Sequence, residues 1–158
     1  MIGSMLILIL SAALLFFYFQ VICQKILRLQ FGREYFRAVA EANRLEFVAL
    51  RNSLEKFNAI GDYPRLRKEL ACDFRAVTYL LKHAANVNLS YTNQERLLIL
   101  YFHWQFLSLA VRCWLKVGEK KAILRLTSIL QYFANVVGQR VAMTRFGKLN
   151  SADYFLNF

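Results

Sequence analysis

The distribution of apolar residues changes character along the chain. From Met5 to Cys23, MLILILSAALLFFYFQVIC, nineteen residues pass without a charge. A helix of that length is about 28 Å long at 1.5 Å per residue, close to the roughly 30 Å hydrocarbon core of a bilayer. Beyond Gln24 the pattern becomes periodic. Phe36, Ala40, Phe47, Leu50, Leu54 and Phe57 recur on one helical stripe, while Arg37, Glu41, Arg44, Arg51 and Glu55 fall on the other side. That spacing predicts one amphipathic helix from Glu34 to the turn AIGDYPR, where Gly61 suits a helix end and Pro64 the first turn of the next helix.

The next helix, from Pro64 to about Asn86, is expected to bury Leu66, Leu70, Phe74, Val77 and Leu81 and to turn Lys68, Arg75 and Lys82 outward. VNLSY reads as a loop. Thr92 and Glu95 then form a T-x-x-E capping box that starts a third helix ending at Gly118. VGEKK is a tight connection, which makes the third and fourth helices an antiparallel pair. The fourth helix, from Glu119 to about Phe146, places Ile123, Leu126, Leu130, Phe133, Val137 and Val141 inward and Arg125, Ser128, Tyr132, Asn135 and Gln139 outward.

The segment LLILYFHWQFLSLAV, Leu97 to Val111, does not fit this amphipathic rule, because it is apolar on nearly every side. Such a helix is either a membrane span or the middle of a bundle. As a second span its far end would carry Arg112, Lys116, Lys120, Lys121 and Arg125 to the wrong side for the positive-inside rule. The favoured reading makes it the centre of a helical bundle, with part of it lying on or dipping into the bilayer surface.

Composition agrees with one anchor and one domain. With 58% hydrophobic residues and a mean hydropathy of +0.32, the chain is too apolar for an ordinary soluble domain and too polar for a protein that crosses the membrane many times. No Lys or Arg precedes the first apolar run and no small-residue cleavage site follows it, so the run reads as an uncleaved anchor rather than a signal peptide. All 21 basic residues follow it. The positive-inside rule then predicts an outside N-terminus and a cytoplasmic domain, with Tyr18, Lys25, Arg28 and Arg33 at the membrane interface. A bacterial inner membrane is the expected setting. The segments are an anchor over 1–24, a basic stalk over 25–33, a helical domain over 34–148 and an aromatic tail over 149–158.

The chemistry-bearing residues are few. No glycine-rich phosphate loop, zinc spacing or nucleophile motif occurs, and among ten acidic residues only Asp73 falls near a buried stripe. An enzyme is not expected, nor a small-molecule substrate. Cys23, Cys72 and Cys113 are widely spaced and odd in number, which reads as free thiols; Cys23 at the membrane boundary is also a position for acylation. The sequon at Asn88 is silent in a cytoplasmic domain. His103, between Phe102 and Trp104, is the one candidate ligand for a haem or chlorophyll, against the simpler expectation of a hydrogen-bonded core histidine and no cofactor. His83 faces solvent on its helix.

The net charge of +11 is spread over several helices and interleaved with glutamates. That favours anionic lipid headgroups over nucleic acid as the partner of a tethered domain. Tyr154, Phe155, Leu156 and Phe158 give the tail an apolar character suited to docking on the bundle or on a partner. The sequence thus predicts an all-α protein, one N-terminal transmembrane helix followed by a cytoplasmic bundle of about four helices. The expected function is that of a non-catalytic accessory or scaffold subunit of a larger membrane complex, an energy-transducing one. The alternatives are a cofactor-binding membrane subunit and a membrane-anchored adaptor that recruits a soluble partner.

Overall fold

The computed structural model describes residues 2–28, 34–56, 63–83, 91–115 and 118–156, with side chains for all of these except Ile2, Lys56 and 145–156. Arg33, Phe57, Gly61, Asn88 and Phe158 lie outside the described residues. The described chain is all-helical: α1 Ile2–Leu27, α2 Phe36–Asn43, α3 Phe47–Lys56, α4 Tyr63–His83, α5 Asn93–Leu115 and α6 Glu119–Leu156. An N-terminal apolar helix followed by a helical bundle, as the sequence predicts, is the architecture of the molecule.

The single amphipathic helix expected after Glu34 is two helices. Arg44 takes up a left-handed conformation (φ 52°, ψ 43°). The Leu45 amide donates back to the Ala40 carbonyl at 2.9 Å and the Arg44 amide to Glu41 at 3.4 Å. This pair of bonds is a Schellman ending, in which Leu45 turns inward and is buried. An arginine at that position carries no sequence signal of a helix end, since glycine is the usual occupant.

Both short helices are capped by side chains from far along the chain. Asn135 Oδ1, on α6, accepts the amides of Tyr35 and Phe36 at 2.8 Å each, at the start of α2. Asp73 Oδ2, on α4, accepts the amides of Glu46 and Phe47 at 2.9 and 2.7 Å, at the start of α3. A helix N-terminus leaves several amides without partners, and these two buried side chains supply acceptors that the local sequence lacks. The expectation that Asn135 and Tyr132 face solvent is thereby corrected: both are buried.

The centre of the bundle is also reassigned. Helix α6 is enclosed almost all round, with Ala122, Ile123, Leu126, Ile129, Leu130, Phe133 and Ala134 fully buried. Helix α5, expected to hold that place, buries one stripe only: Leu98, Tyr101, Phe102, Gln105 and Leu109. Small residues let the other helices close on α6. At Gly138 the start of α2 comes so near that a methyl group built there would overlap the Tyr35 Cβ.

Two residues beyond Gly138, an ion pair ties three helices together. Arg140 on α6 reaches Glu95 at 2.6 Å and donates to the Leu81 carbonyl in the last turn of α4 at 2.7 Å. The other oxygen of Glu95 accepts the Thr92 amide at 2.9 Å, and Thr92 Oγ1 accepts the Glu95 amide, so the expected capping box forms. Gly118 (φ 69°) completes the α5 to α6 connection. The core stripe of α4 is as expected, and Phe74 stacks face to face on Phe102, 3.8 Å between ring centroids.

Three outcomes test this arrangement. Asn135→Leu orphans two amides and is expected to lower unfolding free energy by about 2–4 kcal/mol in detergent. Gly138→Ala, which stabilises an ordinary exposed helix, is here expected to cost about 1–3 kcal/mol through displacement of Tyr35. Arg140→Met is expected to cost about 3–5 kcal/mol by stranding Glu95, with part of the loss restored on adding Glu95→Gln. A fourth test uses pH. Burial pushes the Asp73 carboxyl above its ordinary value of 3.8, and its two amide bonds only partly offset this. Its contribution is complete below the unfolded value and is lost as pH rises through the raised folded one. The stability of the parent relative to Asp73→Asn, whose amide oxygen can still accept both bonds, should therefore increase as pH falls from neutral toward 4, as read by denaturant unfolding.

Candidate functional site

The surface that the internal packing leaves unexplained is apolar, and it lies along α1 and α5. Along α1, side chains from Met5 to Leu10 are each more than 60% exposed. The second half of that helix joins the domain, most closely at its end, where Cys23 is fully buried and Ile26 nearly so. The buried Cys23 thiol is out of reach of an acylating enzyme. On α5 the exposed residues Leu100, Trp104, Leu107 and Val111 follow one another at spacings of four, three and four, forming a stripe opposite the buried one.

Helices α1 and α5 run antiparallel where they meet. Phe16 packs on Trp104 with ring centroids 4.7 Å apart, and Phe19 meets the edge of Tyr101 at 6.0 Å. Between them lies an apolar groove of about 660 Å³, lined by Ala12, Leu15, Phe16, Phe19 and Ile22 on one side and Leu100, Trp104 and Leu107 on the other. Tyr18 and His103 also line it. Both helices are long and apolar enough to cross a membrane by length and composition, with mean hydropathies of 2.5 for Gly3–Leu27 and 1.2 for Asn93–Leu115.

His103 is not the buried core histidine of the simpler expectation; it is exposed on the groove wall. Its Nδ1 lies 2.8 Å from the Ile99 carbonyl. A carbonyl only accepts, so Nδ1 carries the proton and the Nε2 lone pair of the neutral ring is left available. The edge of the ring packs on Phe74 at 5.3 Å. Gln105, the other polar residue of the segment, turns the opposite way and is buried with Tyr101. His83 is exposed and stacks on Tyr79, as its helix position implied.

The interface residues expected from sequence are partly brought together. Tyr18 lines the groove, while Lys25 and Arg28 lie just beyond the buried Cys23, at the end of α1. Tyr154, Phe155 and Leu156 belong to α6, whose backbone continues past the expected end near Phe146; their side chains lie outside the described residues. Trp104 and its stripe were not singled out in the sequence. Their periodicity was present, but in a segment apolar on all sides it could not be told from the inward stripe.

A second groove, of about 750 Å³, separates α2 from α3. Its rim alternates Glu34, Glu41 and Glu55 with Arg37, Arg44 and Arg51. Arg51 bonds to Glu55 at 3.2 Å and also to Gln131. Mixed signs at this spacing concentrate neither positive nor negative potential. Among the described residues, no group of three or more His, Cys, Asp or Glu side chains is placed to hold a metal ion.

Comparison with protein-family models, with curated proteins and with solved structures finds no match to this chain.

Proposed function

We propose that the chain is a membrane-anchored, non-catalytic accessory or scaffold subunit of a larger membrane complex. The observation that carries this reading is α1, an uncharged apolar helix whose first half extends beyond the bundle with its side chains exposed. Leaving such a helix in water costs roughly 25 cal/mol per Å² of apolar surface, so it belongs in lipid or against other membrane helices. A shallow groove of about 610 Å³ along α1, lined by Ser4, Ile7, Leu8, Ser11, Ala12 and Leu15, supports the second environment as well. Small side chains permit close approach of helices where the hydrophobic effect gives no help.

The use made of the buried polar groups supports a structural role. Asp73, Glu95 and Asn135 hold helix ends together, and none of the three faces the α1/α5 groove. By the positive-inside rule the basic domain lies on the cytoplasmic side, where Lys25 and Arg28 would meet anionic headgroups. Partner subunits would contact α1 within the bilayer and the domain outside it.

A second reading is favoured by one detail, the available Nε2 of His103 in an apolar groove. That is the arrangement an axial ligand of a haem or chlorophyll requires. A ligand of this kind would sit between α1 and α5.

Extraction from the native membrane in mild detergent, with native mass and absorption recorded on the same fraction, tests both. The accessory-subunit reading expects co-purification in fixed ratio with larger membrane subunits, and any visible absorption unchanged by His103→Ala. A colourless particle at the mass of the monomer or homodimer would overturn it. A visible band lost on His103→Ala would establish the second reading in its place.

A further inference from the structure

We propose that α5 is a second membrane element, one that does not cross the bilayer: the part of its outward stripe beside α1, Leu100 to Leu107, lies within the acyl chains of the leaflet from which α1 emerges at Cys23. The groove between α1 and α5 is then filled by lipid chains. The proposal rests on the reading of α1 as a membrane span and adds an interaction surface to it.

The geometry fixes depth. Phe16 lies about 10 Å from Cys23 along the axis of α1, at 1.5 Å per residue, and so falls inside the uncharged run rather than at its edge. Trp104 packs directly on Phe16, at 4.7 Å. Insertion of α1 therefore carries Trp104 below the headgroups. Because the two helices are antiparallel, the residues of α5 after Trp104 pass toward earlier residues of α1, and Leu107 shares the groove wall with Ala12 and Leu15.

The chemistry of α5 matches that position. No charged residue occurs from Leu97 to Val111, and the exposed side chains Leu100, Trp104 and Leu107 that stand beside α1 are apolar. The single titratable side chain on the groove wall of α5, His103, satisfies its ring N–H internally through Ile99. The inner face of α5 is already packed on the bundle, through Phe102 on Phe74 and through Glu95 to Arg140. A helix held on one face by a polar domain and apolar on the other lies partly in one leaflet, as amphipathic monotopic helices do, rather than spanning both.

The only two tryptophans of the chain, Trp104 and Trp114, both lie on α5 and are both exposed, which makes intrinsic fluorescence a reporter of this face. The full chain is reconstituted into vesicles of phosphatidylcholine and phosphatidylglycerol, with or without acyl-chain bromination, as a Trp114→Phe variant that reports Trp104 alone. A companion variant, Phe17→Trp with Trp104→Phe and Trp114→Phe, carries its one indole on α1 and reports the depth of that helix. The proposal expects Trp104 emission to be blue-shifted, to lose most of its intensity in brominated lipid and to resist aqueous acrylamide. Quenching of the α1 indole but not of Trp104 by brominated lipid would overturn the proposal and leave the anchor standing. In that case sensitivity of Trp104 to acrylamide would mean a face in water, and protection from both quenchers a face covered by another protein chain. Quenching of neither probe by brominated lipid would overturn the anchor and this proposal together.

Discussion

The fold depends on hydrogen bonds made to helix ends by residues remote in sequence. Helices α2 and α3 are only eight and ten residues long, shorter than isolated helices that persist in water. Their first amides are taken up by Asn135 and Asp73, and their inner faces by α6 and α4. Each capping side chain is buried, so water offers no substitute and the short helices and their acceptors are ordered together. Tyr35 at Gly138 fixes how closely α2 lies on α6, and the Schellman ending at Arg44 turns the chain so that α3 meets Asp73.

About one and a half turns along α6 from Asn135 a similar role falls to Arg140. Its guanidinium joins the start of α5 through Glu95 to the end of α4 through Leu81, while belonging to α6. One side chain thereby sets three helices relative to one another. The cost of desolvating the charged pair is offset by the further bonds each partner makes, Glu95 to Thr92 and Arg140 to the carbonyl. Polar residues in this core specify register, and apolar stripes supply most of the burial.

These constraints act on the surface as well. Because α4 and α6 hold one face of α5, its other face is committed to the outside beside α1. The apolar groove is thus a product of the bundle's internal order, not of a local motif. Phe16 and Trp104 join α1 to the domain, so the position of α1 determines that of α5.

Much of this was legible along the chain. The uncharged run from Met5 to Cys23, the stripes of α4 and α6, the capping box at Thr92 and Glu95 and the turn at Gly118 are local patterns, and local patterns act through propensity and periodicity that a sequence displays directly. What only the tertiary structure decided are the matters that depend on partners far apart in sequence. Asn135 on an amphipathic pattern reads as solvated, and becomes buried because the amides of Tyr35 and Phe36 need an acceptor, which it supplies from 100 and 99 residues away. Arg44 reads as mid-helix, and ends one because the chain must bend to bring α3 to Asp73. Leu97 to Val111, apolar on every side, has no preferred face of its own; only packing against α4 and α6 determines which stripe is inside, and so which residues remain to meet their surroundings.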